Sequence, residues 1–328
     1  EEVEAKKECP NVDVLAEYTD EKTGQPCRIG KTYGCSGGKG MYTTDGCAAV
    51  FSVSGNVTAC GSATKATNKV VCREGELVQA QDPCGLMILT SFFTTKKDWQ
   101  RGKKTKASFK KVSKLYKTVL KHGLSVTVVY DELPPELIER YSCSQFQFHK
   151  VEMSEHDRRY GVNDVRYFFF KRLVESKPEW QYVFIVDAFD VRIGMSPCSG
   201  LKQDTLYIGI EQDRLKSHPW MKARFSKMGG KYDQWYRTKI QAKTKILNCG
   251  ITGGSRPMIM KLLRRMTEVL QDPALAIRKK QEDINLNMAA LNYIIYNEFE
   301  GSFSSGAPVH SVYKRFEAKR TDVWFIHK

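Results

Sequence analysis

Trp180-Gln181-Tyr182-Val183-Phe184-Ile185-Val186-Asp187-Ala188-Phe189-Asp190-Val191 is the stretch on which the reading of the whole chain turns. Tyr182 to Val186 is an unbroken β-prone apolar run, the length of one buried strand. It stops abruptly in two carboxylates, Asp187 and Asp190. Ahead of it, Val165-Arg166-Tyr167-Phe168-Phe169-Phe170-Lys171-Arg172-Leu173 has the character of an amphipathic helix. A carboxylate at the carboxyl end of a central strand is costly to bury alone, so it needs a metal ion, a basic side chain or backbone donors. Two oxygen ligands suit Mg²⁺ or Mn²⁺. A pair of aspartates that only caps the loop is the other reading of this spacing.

The flanking sequence repeats the alternation of strand and helix. Leu86 to Thr90 is a buried-type strand, and Ser108 to Lys121 has helical apolar spacing at Phe109, Val112, Leu115, Tyr116, Val119 and Leu120. Leu124 to Tyr130 is a second strand, Pro135 to Tyr141 a short helix after a Pro pair, and Phe146 to Val151 a third strand. This order implies parallel crossovers in a doubly wound α/β sheet, with ligands beyond the carboxyl ends of the strands.

Residues 1–84 differ in kind. Seven of the ten cysteines (Cys9, Cys27, Cys35, Cys47, Cys60, Cys72 and Cys84) fall there, among short β-prone runs separated by Gly-rich and Asp-Gly turns. The expectation is a disulfide-rich all-β module from an oxidising compartment. Zinc is disfavoured, because the segment has no C-x-x-C pair and no histidine before His122. Seven is odd, so at least one of these cysteines is free or pairs with a cysteine of the second segment. Asn56-Val57-Thr58 is an N-glycosylation sequon that makes Asn56 a candidate glycan attachment site. A chain starting at Glu1 without a signal peptide reads as the trimmed luminal portion of a type II membrane protein of the Golgi or ER, or as a secreted protein.

The whole chain has 328 residues, 52 Lys+Arg against 37 Asp+Glu, and a net charge of +15. Residues 1–84 carry nine basic and twelve acidic residues, so the positive charge belongs entirely to residues 85–328. With 41% hydrophobic residues a disordered chain is excluded, and no run reaches the ~18 apolar residues of a membrane span. Eleven Lys/Arg lie between Lys96 and Lys121 against one acid, Asp98. A nucleic-acid groove is one reading of such a cluster. The cysteines and the sequon argue instead for phosphate or acidic glycan and against nucleic acid.

The basic helix, the strand with Asp187-Ala188-Phe189-Asp190, and the downstream Leu247-Asn248-Cys249-Gly250-Ile251-Thr252-Gly253-Gly254 together resemble the nucleotide-sugar core of GT-A glycosyltransferases. The Asp-x-x-Asp form is similar to the variant in the glycosyltransferase domains that modify collagen hydroxylysine. The resemblance covers 85–328 and implies a Rossmann-like, mostly parallel sheet with flanking helices, preceded by the small β module at 1–84. It implies that Asp187 and Asp190 hold Mn²⁺ or Mg²⁺ against the diphosphate of a UDP-sugar. It further implies that His327 completes the metal site and that Lys328 touches the diphosphate. A solvated chain end is the plainer reading of those last two residues.

Other positions carry over as donor contacts: Thr90 and Ser91 after the first strand, Asp131 after the second, Arg166 and Lys171 on the basic helix, Asn248 with Gly250 and Gly253 in a strand-like turn, and Gly306 before the last strand. Glu282 and Asp283 open a helix with apolar Met288, Leu291, Ile294 and Ile295. There they serve as catalytic base or sugar contact, or only favour the helix dipole. The expected function is hexosyl transfer from a UDP-sugar to a glycan, glycoprotein or acidic polysaccharide, with membrane attachment only through a removed N-terminal anchor. An inactive, lectin-like carbohydrate binder is the alternative.

Overall fold

In the computed structural model, side chains are described for residues 84–99, 101–139, 141–143, 145–277, 285–315, 317 and 319–328. Upstream, six strands are described as backbone: β1 (Val12–Glu17), β2 (Tyr33–Ser36), β3 (Gly40–Thr43), β4 (Ala49–Val53), β5 (Asn56–Cys60) and β6 (Val70–Arg73). They form two antiparallel sheets, ordered β1-β4-β5 and β2-β3-β6. In the β4–β5 hairpin, Asn56 pairs with Val53 at the first position of the returning strand. The expected disulfides within 1–83 lie outside the described residues.

From residue 86 onward the chain builds one seven-stranded sheet. Its members are β7 (Leu86–Phe92), β10 (Ser125–Tyr130), β11 (Phe146–Lys150), β12 (Tyr182–Val186), β14 (Leu206–Arg214), β15 (Lys245–Ser255) and β16 (Phe303–Ser304). Two ribbons lie outside it: β8 (Lys97–Asp98) with β9 (Lys103–Lys104), and β13 (Val191–Ile193) with β17 (Phe325–His327). The spatial order in the main sheet is β11-β10-β7-β12-β15-β14-β16. Only β15 runs against the others, antiparallel to both β12 and β14. The result is a mixed but mostly parallel α/β sheet of Rossmann-like type.

The helices are α1 (Ser113–Lys121), α2 (Pro135–Tyr141), α3 (Val162–Glu175), α4 (Pro219–Met228), α5 (Gly230–Lys239), α6 (Arg256–Gln271) and α7 (Asn287–Glu298). Side chains alternate across the central strands. Ile88, Val128 and Phe184 join α1 and the β13–β17 ribbon in one core, while Leu89, Val129 and Ile185 join α3, α6 and α7 in the other. Burial on both faces explains why these strands read as continuous apolar runs. No helix among the described residues is long and apolar enough to cross a membrane.

Three local expectations shift. The helix expected from Ser108 begins at Ser113, after a 3₁₀ turn at Phe109–Lys111 whose Phe109 ring packs in a cluster with Tyr116 and Tyr141. The segment from Asn248 to Gly254 is part of one long strand, not a turn, because its neighbours are buried on both sides. Its pairing with β14 jumps from Ile208↔Thr252 to Gly209↔Asn248, so Cys249, Gly250 and Ile251 form a bulge. Helix α7 starts at Asn287. The buried Asp164 carboxylate of α3 accepts the Leu286 and Asn287 N–H groups at 2.8–2.9 Å, supplying the cap from another helix.

Cys84 is the N-terminal cysteine with a partner in the second segment. It bonds to Cys198, 114 residues away, with the Cα atoms 5.5 Å apart. Cys143 and the buried Cys249 are free thiols.

Candidate metal centre

Strand β12 delivers Asp187 to the carboxyl edge of the sheet, where its N–H donates to the Gly250 carbonyl on the β15 bulge at 3.0 Å. Thr90 is fully buried and donates its hydroxyl to Val186 O at 2.8 Å, clamping β7 to the end of β12 one residue earlier. The chain then turns through Ala188 and Phe189 to Asp190 and enters β13. Pairing of β13 with β17 sets Val191 opposite His327, which brings the penultimate residue of the chain beside the two aspartates. The Lys328 N–H donates to Asp190 O at 3.0 Å and fixes the register.

The three side chains converge. His327 Nε2 lies 3.6 Å from Asp190 Oδ1 and 4.0 Å from Asp187 Oδ2, and one ligand atom from each residue falls within 4.8 Å of the others. The His327 ring is buried, yet its Nε2 has no hydrogen-bond partner. An orphaned buried nitrogen aimed at two carboxylates is what a divalent cation satisfies, so this residue set fits a metal ion. The residue is held from behind: Ser311 Oγ accepts the His327 backbone N–H at 2.9 Å, and the Tyr313 ring lies 4.3 Å from the imidazole, centroid to centroid. Gly250 leaves room in front, since a Cβ there would stand 2.2 Å from His327 Cε1.

Arg166 occupies the other side of Asp187. Its guanidinium is buried on α3, with Nη1 donating to Asp187 Oδ1 at 2.5 Å and Nη2 to Cys249 O at 3.3 Å. Burial alone would weaken this cation, but the Asp187 charge more than compensates and holds it firmly protonated. The Asp187 carboxyl would be raised by burial, and Arg166 and His327 together bring it below the usual carboxylate range. Asp187 is therefore an anion over the whole physiological pH range. The Cys249 thiol is pushed up to about 12 by burial and stays protonated, which removes it as a nucleophile.

These groups open into a polar cavity of about 310 Å³, within the range of small-ligand sites. Of the residues singled out in the sequence, Ser91, Arg166, Asp187, Asp190, Asn248, Gly250 and His327 line it. Asn248 donates to Glu211 at 2.8 Å and accepts the Gly250 N–H at 2.6 Å, so its amide is oriented from both ends.

The others stand elsewhere. Thr90 turns away into the sheet, as described. Asp131 is consumed by the loop after β7, accepting the Thr94 and Thr95 N–H groups at 2.8 and 3.0 Å. Lys171 faces outward and pairs with Glu175 at 3.4 Å. The absent side chain of Gly253 makes room for the Phe184 ring, 2.1 Å from where a Cβ would stand, so this glycine serves packing. Gly306 turns at φ +81°, with its N–H bound to His310 Nε2 at 2.8 Å. Lys328 faces a second, smaller cavity of about 170 Å³, shared with Lys114 and Arg192. Glu282 and Asp283 lie outside the described residues, as does the side chain of Asn56.

Sequence reasoning missed Glu211, His218, Trp220, Asn287 and Tyr313, all of which line the main cavity. Glu211 and Tyr313 meet through a bridge between distant segments, and no local pattern announces such a meeting. Trp220, two residues after His218 at the start of α4, carried the one available signal: a large aromatic at a helix start after a strand.

No protein-family model and no curated protein sequence matches this chain.

Proposed function

We propose that this protein is a metal-dependent glycosyltransferase of GT-A type that moves a hexosyl group from a UDP-sugar to a glycan or glycoprotein acceptor in the lumen of the secretory pathway. The observation that carries the reading is the buried, unpartnered Nε2 of His327 facing Asp187 and Asp190 at the carboxyl edge of a mostly parallel sheet. Two carboxylates and one imidazole favour Mn²⁺ over Mg²⁺, because a nitrogen ligand suits the softer ion. When bound, such an ion neutralises the charge that grows on a leaving diphosphate.

The chain's own residues set up the rest. Arg166 pins one oxygen of Asp187 and leaves the other turned toward His327. Arg101, at the cavity rim, adds positive charge where a diphosphate would sit. Asn248, held by Glu211, presents a fixed amide to a sugar hydroxyl.

The test is release of UDP across a panel of UDP-sugars, with Mn²⁺, with Mg²⁺ and with EDTA. Turnover with one donor that EDTA abolishes and Asp187→Asn reduces by ~100-fold or more supports the proposal. Folded protein that releases UDP from no donor refutes it and favours the lectin-like alternative.

A further inference from the structure

Beyond the metal centre, the least balanced surface among the described residues is the β8–β9 hairpin with the segment leading into α1. From Trp99 to Tyr130 the sequence has no acidic residue. Asp98, the one carboxylate of the hairpin, is buried, with Arg101 Nε 3.7 Å from it. Lys103, Lys104, Lys106 and Lys110 are exposed and have no carboxylate partner among the described residues. A solvated basic face is normally interspersed with acids that limit self-repulsion. This one keeps its repulsion, which a polyanion would relieve.

Trp99 adds a second, independent observation. It is 43% exposed and is the large hydrophobic side chain left exposed among the described residues. Lys97 Nζ stands 4.8 Å from the ring centroid, so a cation is already placed beside an aromatic surface. An indole exposed among lysines matches a chain that alternates apolar ring faces with negative groups. The track is also continuous with the site: Asp98, Arg101 and Thr105 line the main cavity, and Lys114 lines the smaller one beside Asp190 and His327.

We infer that this hairpin and the start of α1 form a docking track for an acidic polysaccharide, one bearing carboxylate or sulfate groups, which leads its acceptor end to the metal centre. The choice of a glycan over a nucleic acid rests on the Cys84–Cys198 disulfide, which belongs to an oxidising compartment. The role as acceptor rests on the transferase reading above, whereas the binding does not.

Binding is measured on the full chain in EDTA and without a UDP-sugar, so that it is independent of turnover. The probes are chondroitin sulfate and hyaluronan oligosaccharides, neutral dextran and single-stranded DNA, followed by tryptophan fluorescence and by salt titration. The expected result is binding of both acidic glycans but not dextran, weakening steeply with salt. Lys103→Glu with Lys104→Glu is expected to weaken it roughly tenfold or more, and the neutral Lys103→Gln, Lys104→Gln pair by less. Trp99→Phe is expected to remove most of the fluorescence change.

Acidic glycans that bind no better than dextran, or that bind both lysine pairs as tightly as the parent chain, overturn the inference. DNA that binds more tightly than either glycan overturns it as well. If glycan binding follows the expected pattern while no UDP-sugar is turned over, the track stands and the transferase reading alone falls.

Discussion

Gly250→Ala tests the metal centre without touching a ligand. A Cβ at this position would lie 2.2 Å from His327 Cε1 and 2.8 Å from Nε2, while ordinary contact begins at 3.4 Å. The ring therefore has to retreat by about 1.2 Å, the difference between those two distances. It has little room, since Tyr313 packs on it and Ser311 holds its backbone N–H. A metal ligand tolerates displacement of only ~0.2 Å. Losing one of three protein ligands, or stretching it so far, should weaken Mn²⁺ binding by roughly 10- to 100-fold, about 1.4–2.8 kcal/mol. The assay is Mn²⁺ titration by electron paramagnetic resonance or calorimetry on the parent chain, Gly250→Ala and His327→Ala, with circular dichroism to confirm folding. If folded Gly250→Ala binds Mn²⁺ as tightly as the parent chain while His327→Ala does not, the claim that the bulge makes room for the ring is refuted. If neither variant differs from the parent chain, His327 is not a ligand.

Three further outcomes follow from the packing. Asn292 is fully buried, accepting the Leu247 N–H at 2.9 Å and donating to the carbonyls of Leu247 and Met288 at 2.8 Å. Asn292→Ala strands both Leu247 groups and should cost about 2–4 kcal/mol in urea unfolding. Replacing Cys84 and Cys198 together by Ala opens a 114-residue loop and should remove up to ~4–5 kcal/mol, read as a lower urea midpoint than that of the oxidised parent chain. The Asp272 carboxyl is lowered to about 2 by the Tyr232 hydroxyl at 2.6 Å, with Lys231 assisting. Its contribution is complete above its ordinary value near 3.8 and is lost as pH falls through about 2. Acid unfolding of Asp272→Asn should therefore be less steep between those limits.

How far the site was legible depends on whether its parts are adjacent in sequence or only in space. Asp187 and Asp190 could be read because one strand and its following turn carry both. His327 could be singled out as a ligand only through a family resemblance, and what places it is the β13–β17 pairing across more than a hundred residues. The sequence did not show how the partners of the centre act. Arg166 was singled out as a donor contact on a basic helix, and it is buried with its guanidinium on Asp187. Glu211 was not singled out in the sequence, yet it orients Asn248.

Thr90 and Ser91 show why the remaining errors arose. The two are adjacent at the end of β7, and successive side chains on a strand point to opposite faces. A strand with one wet face would reveal its phase through alternating polarity. Strand β7 is buried on both faces, with Ile88 in one core and Leu89 in the other, so its apolar run gives no phase. One of the pair had to face the cavity and the other the sheet, and the sequence offered no means of deciding which. The structure decides it through a single bond, Thr90 to Val186 O, which leaves Ser91 at the cavity wall. The same indeterminacy covers Gly253 and Gly250 on β15. Both glycines yield space to a ring, but one admits Phe184 of the core and the other His327 of the metal centre. In a sheet covered on both sides, the end of a strand marks where a site lies, and only the register between strands marks which side chains enter it.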